Sequence, residues 1–164
     1  MPDERAVSLV AALTSQRRTV AVAESLTGGQ VSATLVGVPG ASAVLRGAVV
    51  AYATELKADL LGVDRDLLAA RGAVDPDVAR QMAVGVRDRL GADVGLATTG
   101  VAGPTWQDGH PPGTVHVAVC WADGVTVRSF LLDGDRPQVR AAAVDAVLAL
   151  AQDVVGAPAG DRSG

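Results

Sequence analysis

Three polar side chains, Ser25, Tyr52 and Lys57, interrupt or follow apolar runs of the chain, and each is of a type that can take part in chemistry. A serine hydroxyl is a weak nucleophile until a base removes its proton. A lysine amine that has lost its proton can act as a base or as a nucleophile, whereas an arginine cannot. Lys57 is the one lysine among 14 basic residues. We therefore interpret Lys57 as a candidate base or nucleophile; the alternative is a stray surface lysine in an arginine-rich chain.

The segment that follows Ser25 could bind an anion. Thr27, Gly28 and Gly29 precede a predicted helix, and backbone N–H groups at such a position can bind phosphate or stabilise an oxyanion. The alternative is that Ser25 and Thr27 only cap the helix. A second polar segment ends another apolar run and supplies the candidates Thr99, Gly100, Ala102 and Gly103.

The elements that would position these residues alternate between helix and strand. Apolar periodicity predicts helices over residues 4–17, 54–61, 65–71, 76–90 and 137–155, and another from the glycine pair to about residue 36. Continuous apolar runs predict strands covered on both faces at residues 19–23 and 47–52, and a further strand at 93–99. Residues 115–121 and 125–131 are predicted to form a hairpin.

This pattern predicts an α/β protein, a three-layer α/β/α sandwich with a mixed, mostly parallel sheet of about five strands. Ligands of open α/β sheets bind at the carboxyl ends of the strands, so we expect the candidate residues to meet there. We expect one domain over residues 1–155 and a flexible tail over 156–164.

Composition excludes several function classes. The chain has 164 residues, a formal net charge of −4 and a mean hydropathy of +0.30, which disfavours direct nucleic-acid or anionic-membrane binding. One cysteine and two histidines exclude internal disulfides and a Cys/His zinc site, so we expect no metal and no cofactor. No apolar run reaches membrane-spanning length and no signal peptide is evident. We expect a soluble cytoplasmic protein, and self-association into a homo-oligomer stays open.

Other catalytic templates fail. The chain has no G-x-S-x-G elbow, no phosphate-binding G-x-x-x-x-G-K-[ST] loop and no H-E-x-x-H metal motif. A Ser-His-Asp triad could use His110 or His116, but His116 lies in a predicted strand, where a histidine is more often a hydrogen-bonded core residue.

The run of residues 23–29, Ala-Glu-Ser-Leu-Thr-Gly-Gly, resembles the AES-C-TGG signature of the CinA C-terminal domain family, the nicotinamide-nucleotide amidohydrolases. Further segments follow in that family's order, among them 38–42, 47–52 with Lys57, 99–104, 112–115 and 134–136. The resemblance spans residues 5–155. Full-length CinA proteins have an N-terminal half with its own pyrophosphatase activity. The resemblance indicates a stand-alone form of the C-terminal domain, without that half.

The resemblance implies hydrolysis of the carboxamide of nicotinamide mononucleotide to nicotinate mononucleotide and ammonia, a step of pyridine-nucleotide salvage. It implies a Ser/Lys mechanism with Ser25 as nucleophile, Lys57 as base and Tyr52 relaying a proton or fixing the amine. Backbone N–H groups near residues 28–29 or 100–101 would hold the oxyanion. Arg136 and Arg140 would bind the substrate phosphate, or else simply begin a surface helix.

Two departures from the family pattern affect these expectations. Leu26 stands where many relatives have cysteine, which leaves Ser25 as the nucleophile. Residues 105–111 replace a D-G-G and Lys-Pro segment, so His110 becomes a candidate substitute contact to the substrate. A different class of function also stays open: a catalytically silent domain that binds a nucleotide or a protein in a competence or DNA-damage setting.

Overall fold

The computed structural model of the chain describes residues 1–156. Its helices are α1 (Glu4–Gln16), α2 (Gln30–Val36), α3 (Thr54–Leu61), α4 (Arg65–Arg71), α5 (Pro76–Leu90) and α6 (Arg136–Gly156). Its strands are β1 (Val20–Glu24), β2 (Leu45–Val50), β3 (Val94–Gly100), β4 (Thr114–Trp121) and β5 (Gly124–Leu131). Each helix and strand predicted from the sequence is present, with small shifts at the ends. Of the tail expected over residues 156–164, Gly156 is instead the last residue of α6, and residues 157–164 lie outside the described residues.

The described strands form one sheet in the order β2-β1-β3-β4-β5. β1 pairs in parallel with β2 and β3, whereas β4 is antiparallel to β3 and to β5. The predicted mixed, mostly parallel sheet is therefore confirmed, with β4 running against the other four strands. Helices α1, α2 and α6 pack on one face, and α3, α4 and α5 pack on the other, which gives three layers.

The central strand β1 shows why its sequence lacks a polar face. Val20 and Val22 pack with the core beneath α1 and α6, whereas Ala21 and Ala23 pack with the core beneath α5. All four side chains are fully buried. A strand covered by helices on both faces is expected to be apolar throughout.

The prediction that β2 is covered on both faces is wrong. β2 is an edge strand, and its residues alternate between half-buried and exposed, with Val50 44% exposed. Its run of small apolar residues resembles that of a central strand. The composition of a strand does not show whether the strand lies at the centre or at the edge of the sheet. At the edge of the sheet the helical layers cover β2 only in part, so alternate side chains of β2 face solvent.

Helix α5 lies unusually close to two of its neighbours. A Cβ at Gly85 would lie 1.8 Å from the Leu61 carbonyl oxygen at the end of α3, and a Cβ at Gly95 would lie 2.1 Å from the Ala83 carbonyl oxygen. Only glycine permits these approaches. The first approach holds α3, which contains Lys57, directly against the backbone of α5, and the second holds α5 against β3. No helix within residues 1–156 has the length and apolar character needed to cross a membrane.

Candidate active site

The carboxyl ends of β1, β2 and β3 meet at one edge of the sheet and border a cavity of about 240 Å³. Seven of the predicted site residues line it, namely Ser25, Tyr52, Thr99, Gly100, Ala102, Gly103 and Arg136. The other lining residues are Leu26, Ala73, Val74, Val101, Thr105, Trp106 and Gln107. Lys57 lies buried beneath Ser25, and the remaining four predicted residues, Thr27, Gly28, Gly29 and Arg140, lie outside the lining.

Ser25 and Lys57 are in direct contact. Ser25 follows the last residue of β1, and its amide donates to the Thr98 carbonyl of β3 at 3.1 Å. Lys57, on α3, is 1% exposed, and its Nζ lies 3.0 Å from Ser25 Oγ. The same Nζ lies 2.7 Å from the Ala51 carbonyl oxygen and 3.3 Å from the Tyr52 carbonyl oxygen.

Either protonation state can make these three contacts: the ammonium donates to all three oxygens, Ser25 Oγ included, and the neutral amine donates to two of them. A neutral lysine has two N–H groups and one lone pair, and the carbonyl oxygens of Ala51 and Tyr52 can only accept hydrogen bonds. If the two N–H groups are donated to these carbonyls, the lone pair faces Ser25. The Ser25 hydroxyl can then donate its proton to Nζ, which is the arrangement that a general base requires.

The electrostatic surroundings of Lys57 favour loss of its proton. Burial lowers its pKa from 10.5 to about 8, although the negative charges of Asp108 and Glu55 partly oppose this effect. Burial lowers a lysine pKa because the charged ammonium loses hydration. With a pKa of about 8, roughly one amine in ten is uncharged at pH 7.

The Tyr52 side chain points towards a different partner. Its phenol is 61% exposed and accepts a hydrogen bond from Arg136 Nη2 at 3.2 Å, while Nη1 of the same guanidinium donates to the Gly103 carbonyl at 2.7 Å. Lys57 binds the backbone carbonyl of Tyr52. Tyr52, Arg136 and Gly103 thus form a hydrogen-bonded chain at the cavity.

The turn after Ser25 is held by two sets of contacts. The Thr27 and Thr98 hydroxyls are fully buried and lie 2.8 Å apart. Arg140 Nε donates to the Leu26 carbonyl at 2.9 Å, and Nη2 donates to the Thr27 carbonyl at 3.3 Å. The guanidinium of Arg140 therefore positions the backbone beside the serine.

The amides expected to stabilise an oxyanion are only partly free. The Gly28 amide donates to the Ser25 carbonyl, and the Val101 amide donates to the Thr114 carbonyl. The Leu26 and Thr27 amides make no hydrogen bond to another residue of the described part of the chain. Because Leu26 lines the cavity, its amide is the free donor that directly follows Ser25.

Glu24 is a buried residue that the sequence analysis did not single out as functional. Its carboxylate accepts hydrogen bonds from the Val31 amide, the Ser32 amide and the Ser32 hydroxyl at 2.8–3.1 Å. It therefore caps α2 from the end of β1 and fixes both ends of the intervening turn. An acidic residue that directly ends an apolar strand was the available signal.

The proline and glycine content of residues 104–113 predicts an irregular, exposed segment, but only residues 104–109 are exposed, while 110–112 are half-buried and Gly113 is buried. The exposed part contains a tight turn. Gln107 and His110 exchange two backbone hydrogen bonds, and Asp108 and Gly109 between them both have positive φ. Asp108 Oδ2 accepts from the Ala73 amide at 3.1 Å. Asp-Gly at the centre of a two-residue turn is a strong signal for this geometry.

The two histidines have structural surroundings. His110 contributes backbone bonds to that turn, and His116 Nδ1 lies 2.7 Å from Ser129 Oγ on β5. Burial lowers the pKa of His116. Within residues 1–156, no group of three or more His, Cys, Asp or Glu side chains could hold a metal ion.

Residues 3–155 match the family model described as the CinA C-terminal domain. The chain is 54% identical over 149 residues to a CinA-like protein of Frankia casuarinae. The aligned residues cover 90% of this chain and 34% of that protein. A CinA-like protein of an Anaeromyxobacter species is 47% identical over 139 residues, with 84% and 34% covered. The chain thus spans about a third of the length of the curated relatives it matches.

Solved structures agree with this assignment. A competence-damaged protein (CinA) superfamily protein from Klebsiella pneumoniae superposes with a TM-score of 0.90 at 30% identity, over 93% of this chain and 96% of that one. A competence/damage inducible protein from Agrobacterium tumefaciens superposes with a TM-score of 0.86 at 35% identity, over 90% and 91%. On the family match, the relatives and the fold together, this chain belongs to the CinA C-terminal domain family.

Proposed function

We propose that the chain is a cytoplasmic serine amidohydrolase that converts nicotinamide mononucleotide to nicotinate mononucleotide and ammonia, in pyridine-nucleotide salvage. The observation that carries the proposal is the buried Lys57 amine, 3.0 Å from Ser25 Oγ at the wall of the cavity. Burying a lysine costs stability, and a buried titratable group with a perturbed pKa beside a cavity is a candidate functional residue; the pKa of Lys57 is lowered to about 8. Membership of the CinA family supports the proposal.

In the first half of the reaction, neutral Lys57 takes the proton of the Ser25 hydroxyl. Ser25 Oγ then bonds to the carboxamide carbon, and the carbonyl electron pair moves onto oxygen. When this tetrahedral species collapses, the carbon–nitrogen bond breaks and the Lys57 ammonium returns its proton to the leaving nitrogen, which departs as ammonia. The product is an ester of nicotinate mononucleotide with Ser25.

In the second half of the reaction, water takes the place that ammonia has left and attacks the same carbon. Lys57 takes a proton from water, and the resulting hydroxide oxygen bonds to the ester carbon. Collapse breaks the bond to Ser25 Oγ, which recovers its proton from Lys57. The carboxylic acid product loses its proton to solvent, and both side chains return to their starting states.

The developing oxyanion needs a hydrogen-bond donor that faces the cavity. The Leu26 amide meets that need, since it follows the nucleophile and has no acceptor among residues 1–156. The Arg140 bonds to the Leu26 and Thr27 carbonyls orient these peptide groups. A donor of this kind contributes about 3 kcal/mol to stabilising the transition state.

For the substrate phosphate, the two arginines are not equivalent. Arg136 lines the cavity, whereas Arg140 donates to two carbonyls and lies outside the lining. We therefore assign phosphate binding to Arg136, whose guanidinium is suited to bidentate contact with phosphate oxygens.

The direct test is ammonia release from nicotinamide mononucleotide by the purified chain and by a Ser25→Ala variant. We expect release by the wild type and none above background by the variant, while circular dichroism shows an unchanged fold. Ser42→Ala, which removes an exposed serine outside the cavity lining, is the matched control and should be fully active. Tight nucleotide binding without turnover by the wild type would contradict the proposal and favour a silent binding domain.

A further inference from the structure

The aromatic side chains of this chain are unevenly distributed. Of the four present, Trp121 is 7% exposed and Phe130 packs against the core. The other two, Tyr52 and Trp106, are 61% and 67% exposed, and both line the cavity beside Ser25. Exposed aromatic surface is unfavourable in water, so two such rings at one cavity indicate a surface that a ligand covers.

The backbone that presents Trp106 is fixed against the body of the protein. The adjacent Gln107–His110 turn is closed by two backbone hydrogen bonds, and Asp108 holds the turn to the Ala73 amide. A Cβ at Gly72 would lie 2.7 Å from the Asp108 carboxyl carbon, so glycine at this position makes room for the contact. A ring on so constrained a backbone loses little entropy when it binds a ligand.

Charges of opposite sign flank the cavity. Asp108, two residues after Trp106, is near enough to raise the pKa of Lys57, whereas the Arg136 guanidinium lies at the cavity wall beside Tyr52. A ligand with a cationic ring and a separate anionic group would match this arrangement. Tryptophan is the aromatic residue with the strongest attraction for a cation over its face.

We propose that Trp106 selects the ring of the substrate, stacking its indole on a planar, positively charged N-substituted pyridinium carboxamide in preference to a neutral aromatic amide. This inference rests on the proposed function, because it assumes that the carboxamide is brought to Ser25. Trp106 lies in the segment 105–111, which departs from the family pattern. The proposed selectivity is therefore a property of this chain's own residues.

Binding without turnover tests the proposal. In a Ser25→Ala, Trp121→Phe protein, Trp106 is the single tryptophan, so its fluorescence reports on this ring alone. We expect 1-methylnicotinamide, a cation, to quench that emission at concentrations about tenfold lower than neutral nicotinamide does. Calorimetry on the Ser25→Ala protein should show the same preference retained in Trp106→Phe and lost in Trp106→Ala.

Equal binding of the two ligands, or an unchanged preference in a folded Trp106→Ala protein, would overturn the proposal. Failure of the proposed function gives a different result: the wild type would release no ammonia from nicotinamide mononucleotide, while Trp106 still bound the cation selectively. Asp108→Asn keeps an acceptor for the Ala73 amide but removes the charge. It should reduce the preference for the cation while the neutral amide binds as before.

Discussion

Lys57 Nζ and Ser25 Oγ lie 3.0 Å apart, and Ser25 is the one partner of this amine, among the described residues, that has a proton to give. The other two partners are carbonyl oxygens. Two carbonyl oxygens therefore orient the amine, and its third position faces the Ser25 hydroxyl. This asymmetry is the arrangement that the proposed role of Lys57 as a base requires.

The identity of the base can be tested at Lys57. Lys57→Arg should be nearly as inactive as Lys57→Ala, because a guanidinium keeps the charge but does not release a proton near neutral pH. In the wild type, kcat/KM should rise with pH and level off above about 8, where Lys57 becomes neutral. Ammonia release measured across pH for the three proteins checks this.

A control addresses folding at this buried position. Lys57→Met has similar length and no charge, so it should fold and remain inactive. An active Lys57→Arg protein with an unchanged pH profile would exclude the Ser/Lys mechanism.

The charge of Asp108 should be visible in the same pH profile. Its negative charge raises the pKa of Lys57, so Asp108→Asn should lower that pKa further. More of the amine is then neutral at any given pH below 8, and the rising limb of kcat/KM should move to lower pH. As a control, Asp66→Asn, which neutralises an exposed carboxylate on α4, should leave the limb in place. A limb that moves upward in Asp108→Asn would contradict this electrostatic account.

The two arginines near the cavity should give different kinetic defects. Arg136→Ala should raise KM for the nucleotide and abolish its advantage over the nucleoside, because the phosphate loses its partner. Arg140→Ala should lower kcat for both substrates, because the turn after Ser25 loses two hydrogen bonds. Arg128→Ala, on β5 and outside the cavity lining, is the control. Equal efficiency of wild type on nucleoside and nucleotide would remove the phosphate site.

The buried carboxylate of Glu24 should matter for stability. Both of its oxygens accept hydrogen bonds, and a glutamine amide nitrogen cannot accept any, so Glu24→Gln leaves buried donors without a partner. We expect a loss of about 2 kcal/mol in the free energy of unfolding, measured by urea denaturation. The exposed Glu4→Gln should change it by less than about 0.5 kcal/mol. A Glu24→Gln protein as stable as the wild type would show that the cap is dispensable.

Much of this architecture could be predicted from sequence patterns, and the parts that could not have physical reasons. The approach of Ser25 to Lys57 was predictable because strand ends converge at one edge and because the chain has a single lysine. The exposure of β2 was not, because a strand's composition does not reveal its position in the sheet.

The direction of a side chain was the harder problem. The Tyr52 phenol is bonded to Arg136, 84 residues away in sequence, and the Glu24 carboxylate reaches past a turn to α2. Such contacts depend on rotamers and on the distance between elements, which periodicity does not encode.

Because β4 runs antiparallel to β3, it begins at the edge of the sheet where β3 ends. The connecting residues 101–113 therefore stay at the cavity and include six of its lining residues. The candidate nucleophile Ser25 follows β1 and the candidate base Lys57 lies on α3, both far from this stretch in sequence. Exchanging this stretch would leave Ser25 and Lys57 in place, but it would change the pKa of Lys57 wherever the charge of Asp108 is lost. Grafting residues 104–111 from a relative into this chain should transfer ligand preference in a single step.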